Sequence, residues 1–216
     1  MAEQQEGMRK PQQARSQDSA AKVLDAALEI LGNDGPGALT IAAVSKRSGV
    51  SNGAIYHRFV DRRNLLVAAQ DHFLAQIEAA WLSRAAPIWD TNDPTTLLRR
   101  LIEAFSDVFT ENRLVFQAFM LSGYDDPHLR ARGAASTRRA AREFSALLVE
   151  RFGTTPEAAD TAYRILWGQA VSTALFANDE VTELDVSEQT RQEHLLDALH
   201  GILGTTPFAA RADGSE

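Results

Sequence analysis

Three features of the sequence predict an all-α fold. Apolar residues recur at three- and four-residue spacing, a cap or breaker stands at each boundary between such runs, and no alternating run of strand length occurs. Residues 1–16 are rich in Gln and read as a mobile tail, in which Arg9, Lys10 and Arg15 can reach a phosphate backbone. From Ser19 onward, Val23, Leu24, Ala27, Leu28, Ile30 and Leu31 form one apolar helical face. GNDGPG then stops that helix, with Gly32 as the expected C-cap. Thr40 is the expected N-cap of a short helix ended by Gly49, Ser51 caps a second, NGAIYHRF, and Asp61 caps a third that runs to residue 85. Leu65, Leu66, Ala69, Phe73, Ile77 and Trp81 lie along one side of that third helix. Further helices are expected over 95–110, 114–121, 127–152, 156–177 and 187–203, bounded by TNDP, GYDDP, FGTTP and ANDE, which makes about nine in all.

The chain has 216 residues, 44% of them apolar, enough to bury one or two ordinary domains. No stretch approaches the roughly 20 uncharged apolar residues that span a bilayer. The first 20 residues lack the apolar core of a signal peptide, and there is no cysteine, so a cytoplasmic location is expected. Net charge is −7, but it is unevenly distributed. Residues 1–63 hold nine Lys or Arg against seven acids, a net of +2, and the remainder holds 13 against 22, a net of −9. A basic module facing phosphate and an acidic body facing away fit that asymmetry.

The segment GVSNG, residues 49–53, matches G-x-S-x-G, the nucleophile elbow of serine hydrolases. The elbow requires a strand before Gly49, whereas AAVSKRS reads as helix, and no acid–base partners follow in a recognisable arrangement. Two short helices joined by a Gly-containing turn form instead a helix-turn-helix, whose second helix enters the DNA major groove. In that reading Gly49 is the turn, Val50 the apolar plug between the helices, and Ser51 a cap rather than a nucleophile. No catalysis and no cofactor are expected. The five histidines, at 57, 72, 128, 194 and 200, show no metal-ligand spacing, so no metal is expected.

The run LTIAAVSKRSGVSNGAIYHRFVDRRNLL closely resembles the DNA-binding segment of the TetR (tetracycline-repressor) family of transcriptional regulators. The Gly-Val-Ser turn, the Tyr-x-x-Phe spacing and a basic residue three positions after that Phe carry the resemblance, which covers roughly residues 20–68. It implies an all-α homodimer with a three-helix DNA-binding module and a helical body that binds a small effector and dimerises. The expected layout is a tail over 1–16, a helix-turn-helix domain over 17–63, an effector-binding and dimerisation domain over 64–204, and a C-terminal tail over 205–216. The resemblance implies phosphate contacts from Thr40, Tyr56, His57 and Arg62, with Ser51, Asn52, Gly53 and Ala54 at the front of the recognition helix. Ile55 and Phe59 are expected in the core. Ala42 and Ala43 stand where relatives often carry polar residues, which shifts the expected base readout to Asn52, Arg58 and Lys46.

In the body, Phe105, Phe109, Phe116, Met120, Tyr124, Phe144 and Trp167 are the candidate lining of an apolar or aromatic effector pocket. Arg130, Arg132, Arg138, Arg139 and Arg142 read as a solvated helix face. The last two helices resemble the family's dimerisation pair, with Leu166, Ala170, Ala174, Leu195, Leu199 and Ile202 as candidate contacts. The expected function is that of a repressor released from a pseudo-palindromic operator by a small-molecule effector. The alternative is a helical small-molecule-binding or adaptor protein that does not bind specific DNA.

Overall fold

Residues 9–205 of the chain are described by a computed structural model, and no strand occurs among them. Of the tails expected over 1–16 and 205–216, residues 1–8 and 206–216 lie outside the described residues, whereas residues 9–16 are helical. Ten α-helices follow one another: α1 (Arg9–Asn33), α2 (Ile41–Ser48), α3 (Asn52–Phe59), α4 (Arg62–Ala85), α5 (Pro94–Glu111), α6 (Arg113–Asp125), α7 (Pro127–Phe152), α8 (Pro156–Leu175), α9 (Asn178–Val181) and α10 (Glu188–Leu203). Short 3₁₀ turns occupy Pro36–Ala38 and Ala86–Asp90. No helix among the described residues is long and apolar enough to cross a membrane.

The boundaries follow local chemistry. The hydroxyls of Thr40, Ser51, Thr155 and Ser187 and the carboxylate of Asp93 each accept a backbone N–H three residues on, which satisfies donors that a helix start leaves free. Asp61 does the same for α4, accepting from the Asn64 N–H at 2.7 Å. Two expectations need correction at α1. The helix starts at Arg9, upstream of Ser19, and it runs through Gly32 to Asn33, so Gly32 is not a C-cap. Gly32 serves instead as a point of close approach, since a Cβ there would sit 3.2 Å from Cγ2 of Val115 on α6. The expected breaker ANDE, residues 177–180, supplies three of the four residues of helix α9.

The chain forms two compact units. One comprises residues to 75 together with 114–129, and the other 76–113 together with residues from 130 onward. The first unit thus extends past the expected 63/64 boundary. The reason is aromatic packing: Phe73 of α4 meets Phe116 edge-on at 4.9 Å and stacks on Phe119 at 5.6 Å, both on α6. Val23, Ile30, Leu31, Leu39, Val44, Ile55 and Leu65 are almost fully buried in this unit. Its polar ties include a buried Gln70, which donates to the Leu129 carbonyl at 3.0 Å, and a fork from Arg63 to Asp126, Nε to Oδ2 at 2.8 Å and Nη2 to Oδ1 at 3.2 Å. The second unit packs α5, α8 and α10 around Leu97, Leu98, Leu101, Ile102, Leu166, Leu196 and Leu199.

Two consequences can be measured. Gly32→Leu forces a side chain into a contact already at 3.2 Å, and denaturant titration should show a loss of about 1–3 kcal/mol, the usual cost of overpacking. The Arg63 hydrogen bond, reinforced by the His128 N–H, holds Asp126 down at about 2 against its ordinary 3.8. A depressed carboxylate stabilises fully above its unfolded value and loses that contribution as pH falls through the folded one. The wild-type melting temperature should therefore drop between pH values near 3.8 and about 2 by an increment that Asp126→Asn abolishes.

Candidate nucleic-acid interface

The turn between α2 and α3 is built by residues 45–51. Gly49 adopts the left-handed conformation, φ 71°, and its N–H closes α2 on the Ser45 carbonyl at 3.0 Å. Two serines lock this turn: Ser45 Oγ donates to the Val50 carbonyl at 2.7 Å, and the Val50 N–H donates to Ser48 Oγ at 3.2 Å. Neither serine was singled out in the sequence. A helix, not a strand, precedes Gly49, and the Ser51 hydroxyl accepts from the Ala54 N–H at 3.3 Å. Ser51 is a cap, and the nucleophile elbow lacks its framework. Val50, expected as the plug, is half-buried.

Alternation along α3 separates an inner from an outer face. Ile55 is 1% and Phe59 8% exposed, whereas Asn52, Gly53, Ala54, Tyr56, His57 and Arg58 are all exposed, Tyr56 at 54%. A Cβ on Gly53 would meet nothing within 4 Å among the described residues. Thr40 and Lys46, on and beside α2, are exposed as well. The Thr40 oxygen accepts from the Ala43 N–H at 3.1 Å, which leaves its own O–H free to donate.

The arginines behave differently from the sequence expectation. Arg62 directs Nε at the Leu39 carbonyl, 2.6 Å, and Nη2 at the Pro36 carbonyl, 2.7 Å, so two of its five donors hold the loop that leads into α2. Arg58 donates from Nη1 to the carbonyl and hydroxyl of Ser16 on α1, at 2.9 and 3.2 Å, which ties α3 to α1 instead of leaving its guanidinium free for bases. An open cleft of about 620 Å³ lies between these helices, with Ser19 and Val23 on one wall and Val50, Ala54 and His57 on the other. Arg47, to which the sequence reading gave no role, pairs with Asp34 at 3.3 Å and Glu29 at 3.9 Å.

The candidate effector residues are divided between the two units. Phe116, Met120 and Tyr124 belong to the first, with Tyr124 85% exposed and Met120 exposed too. Phe105, Phe109, Phe144 and Trp167 belong to the second. There Phe105 lies 5.2 Å from Phe109, 6.0 Å from Phe144 and 6.0 Å from Trp81. Tyr163, absent from the sequence-derived set, completes this cluster at 5.6 Å from Phe144 and donates its hydroxyl to the Thr137 carbonyl at 3.2 Å. Burial pushes its phenol up to about 12. No group of three or more His, Cys, Asp or Glu among the described residues is placed to hold a metal.

Four candidate dimer contacts need correction. Leu166, Ala170, Ala174 and Leu199 are buried within their own unit, because the broad apolar stripes of α8 and α10 pack on α5 and on each other. Leu195 and Ile202 are half-buried against the same core. The outward faces carry Thr161, Ile165 and Gly168 on α8 and His194, Ala198 and Gly201 on α10, all exposed.

Comparison with known proteins agrees with this architecture. The family of bacterial regulatory proteins named tetR matches over residues 23–69. The HTH-type transcriptional regulator BetI of Pseudomonas paraeruginosa is 32% identical over 113 residues, 51% of this chain and 57% of the relative, so the chain spans little more than half the length of that curated relative. Two solved structures share the fold. A bacterial regulatory protein in the tetR family from Rhodococcus is 17% identical with TM-score 0.62, over 86% of this chain and 96% of its own. The multidrug binding protein EbrR, complexed with malachite green, is 22% identical with TM-score 0.57, over 85% and 97%. The Gly49 turn and the Ser51-capped α3 both fall within residues 23–69, the segment of this chain that matches the tetR family of bacterial regulatory proteins.

Proposed function

We propose that the protein is a DNA-binding transcriptional regulator that represses from a pseudo-palindromic operator as a homodimer and is released by a small-molecule effector. The observation that carries this reading is the division of α3. Ile55 and Phe59 bury its inner face, while Asn52, Gly53, Ala54, Tyr56 and His57 stand exposed on the outer face with open space above Gly53. Such a face can enter a major groove, with Asn52 reading a base edge, the Ala54 methyl meeting a thymine methyl, and Tyr56 and His57 bonding phosphates. Thr40, the cap of α2, adds a phosphate contact, and Lys46 on α2 adds to base readout. Arg62 adds its remaining donors while its other N–H groups hold the loop.

Support for the effector comes from the aromatic cluster around Phe105 and Phe144 and from the likeness to the multidrug binding protein EbrR, complexed with malachite green. An apolar or aromatic effector suits such a lining. Dimerisation through the outward faces of α8 and α10 suits the small residues Gly168, Ala198 and Gly201, which let helices approach closely across a two-fold axis. An effector then acts by binding one conformation of the dimer more tightly than the other, and the shift equals that difference in affinity.

Selection of bound duplex from a random or genomic pool tests the reading. Retention should survive competitor DNA and fall linearly with the logarithm of salt concentration as phosphate contacts require. Failure to enrich any site would leave the protein as a helical ligand-binding module. Against the recovered duplex, Tyr56→Ala should weaken binding to matched and scrambled sites alike, and Asn52→Ala should change base preference by about 1–3 kcal/mol. Gly53→Ala should leave folding stability at or above that of the wild type, since a Cβ there meets nothing within 4 Å, while weakening binding. For the dimer, Gly168→Glu alters an exposed position with nothing within 4 Å of its Cβ. Sedimentation should report monomer with the helical signal of the subunit retained and the concentration dependence of melting lost, and an intact dimer would place the interface elsewhere.

A further inference from the structure

The junction between α3 and α4 is two residues, Val60 and Asp61, and Val60 is held in a strained conformation. Val60 has φ 66° and ψ −51°, the one positive φ of a non-glycine residue among the described residues. The Asp61 N–H donates to the Phe59 carbonyl at 2.7 Å, two residues back, so Val60 is the centre of a γ-turn of the rare and strained hand. For a β-branched side chain this backbone region is a genuine outlier. Burial does not account for the choice of valine, since the residue is 68% exposed.

Strain of this kind persists only where neighbours over-determine it, and they do so here. On one side the Val60 N–H closes α3 on the Tyr56 carbonyl at 2.8 Å, and Phe59 is buried. On the other, the Asp61 carboxylate caps α4 through the Asn64 N–H, the Asp61 carbonyl accepts from the Leu65 N–H at 3.1 Å, and Leu65 is wholly buried. Only Val60 and Asp61 separate the helices, and both are engaged in capping bonds. Any relaxation of Val60 toward ordinary backbone angles would have to swing α3, with its exposed outer face, against α4.

We propose that Val60 is a positioning residue, whose strained turn fixes the angle at which α4 holds the DNA-facing side of α3. The inference rests on the DNA-binding reading of α3. A stiff β-branched residue at this joint leaves α3 no freedom to rotate independently, so the orientation of Asn52, Tyr56 and His57 follows that of α4. Glycine at the joint would relieve the strain and uncouple the two helices. Stability and binding would then move in opposite directions, a pattern that a purely structural residue does not produce.

The test uses the full-length protein and the duplex recovered by selection. Val60→Gly should melt at or above the wild-type temperature, because positive φ costs glycine nothing, yet bind the duplex roughly tenfold more weakly, a loss of the order of the strain released. Val60→Ile, which keeps the branching, should match wild type in both measurements. Wild-type affinity in Val60→Gly would overturn the proposal. So would a fall in melting temperature parallel to the loss of binding, or a loss in Val60→Ile equal to that in Val60→Gly, which would mark a side-chain contact with DNA. A wild-type protein that retains no duplex would remove the DNA-binding reading itself and this inference with it.

Discussion

An eight-residue helix does not hold together in water, because the cost of nucleating it exceeds what so few hydrogen bonds return. α3 is such a helix, and the burial of Ile55 and Phe59 is what makes it persist. Each of those side chains contributes about 1.5–3 kcal/mol on leaving water, and the Ser51 cap adds about 1 kcal/mol. Everything at the candidate interface depends on that anchoring. With two large side chains fixing the inner face, the outer face can carry small and polar residues that do nothing for folding. The turn before the helix is equally determined, since Gly49 supplies the backbone angle and Ser45 and Ser48 satisfy the polar groups of Val50.

What was legible in the sequence was local. The caps at Thr40, Ser51 and Asp61, the Gly49 turn and the buried pair Ile55 and Phe59 are determined within a few residues of themselves, and the structure has them as read. What was not legible involved partners distant in the chain. Arg58 and Arg62 look alike in sequence to any surface arginine, and only folding brings Ser16 and the carbonyls of Pro36 and Leu39 within their reach. The same holds for Arg63 and Asp126, 63 residues apart. Gly32 was misread because a glycine near a helix end signals a cap or a close approach equally well, and Val115 lies too far along the chain to distinguish them.

Apolar periodicity has a further ambiguity, which α8 and α10 illustrate. It says that a stripe is buried but not against what. Leu166, Ala170, Ala174 and Leu199 satisfy a pattern that serves an intersubunit seam or an internal core, and the structure assigns them to the core of their own unit. The aromatic residues divide in a comparable way. Phe116 belongs with Phe73, whereas Phe105, Phe109 and Phe144 belong with Trp81 and Tyr163. Formal charge is also a coarse guide. Of the nine cations in the first 63 residues, Arg47, Arg58, Arg62 and Arg63 are already committed to groups of the same chain.

The commitment of Arg62 has a thermodynamic meaning for association. A loop ordered only on meeting its partner subtracts its lost conformational freedom from the affinity, at roughly 1–2 kcal/mol per residue of backbone. Here the segment from Pro36 to Leu39 is ordered beforehand, with two carbonyls bound to Arg62 and Leu39 wholly buried. On the proposed DNA-binding reading, Thr40 and the start of α2 would stand in place before any phosphate arrived, and the ordering would count against folding instead of against binding.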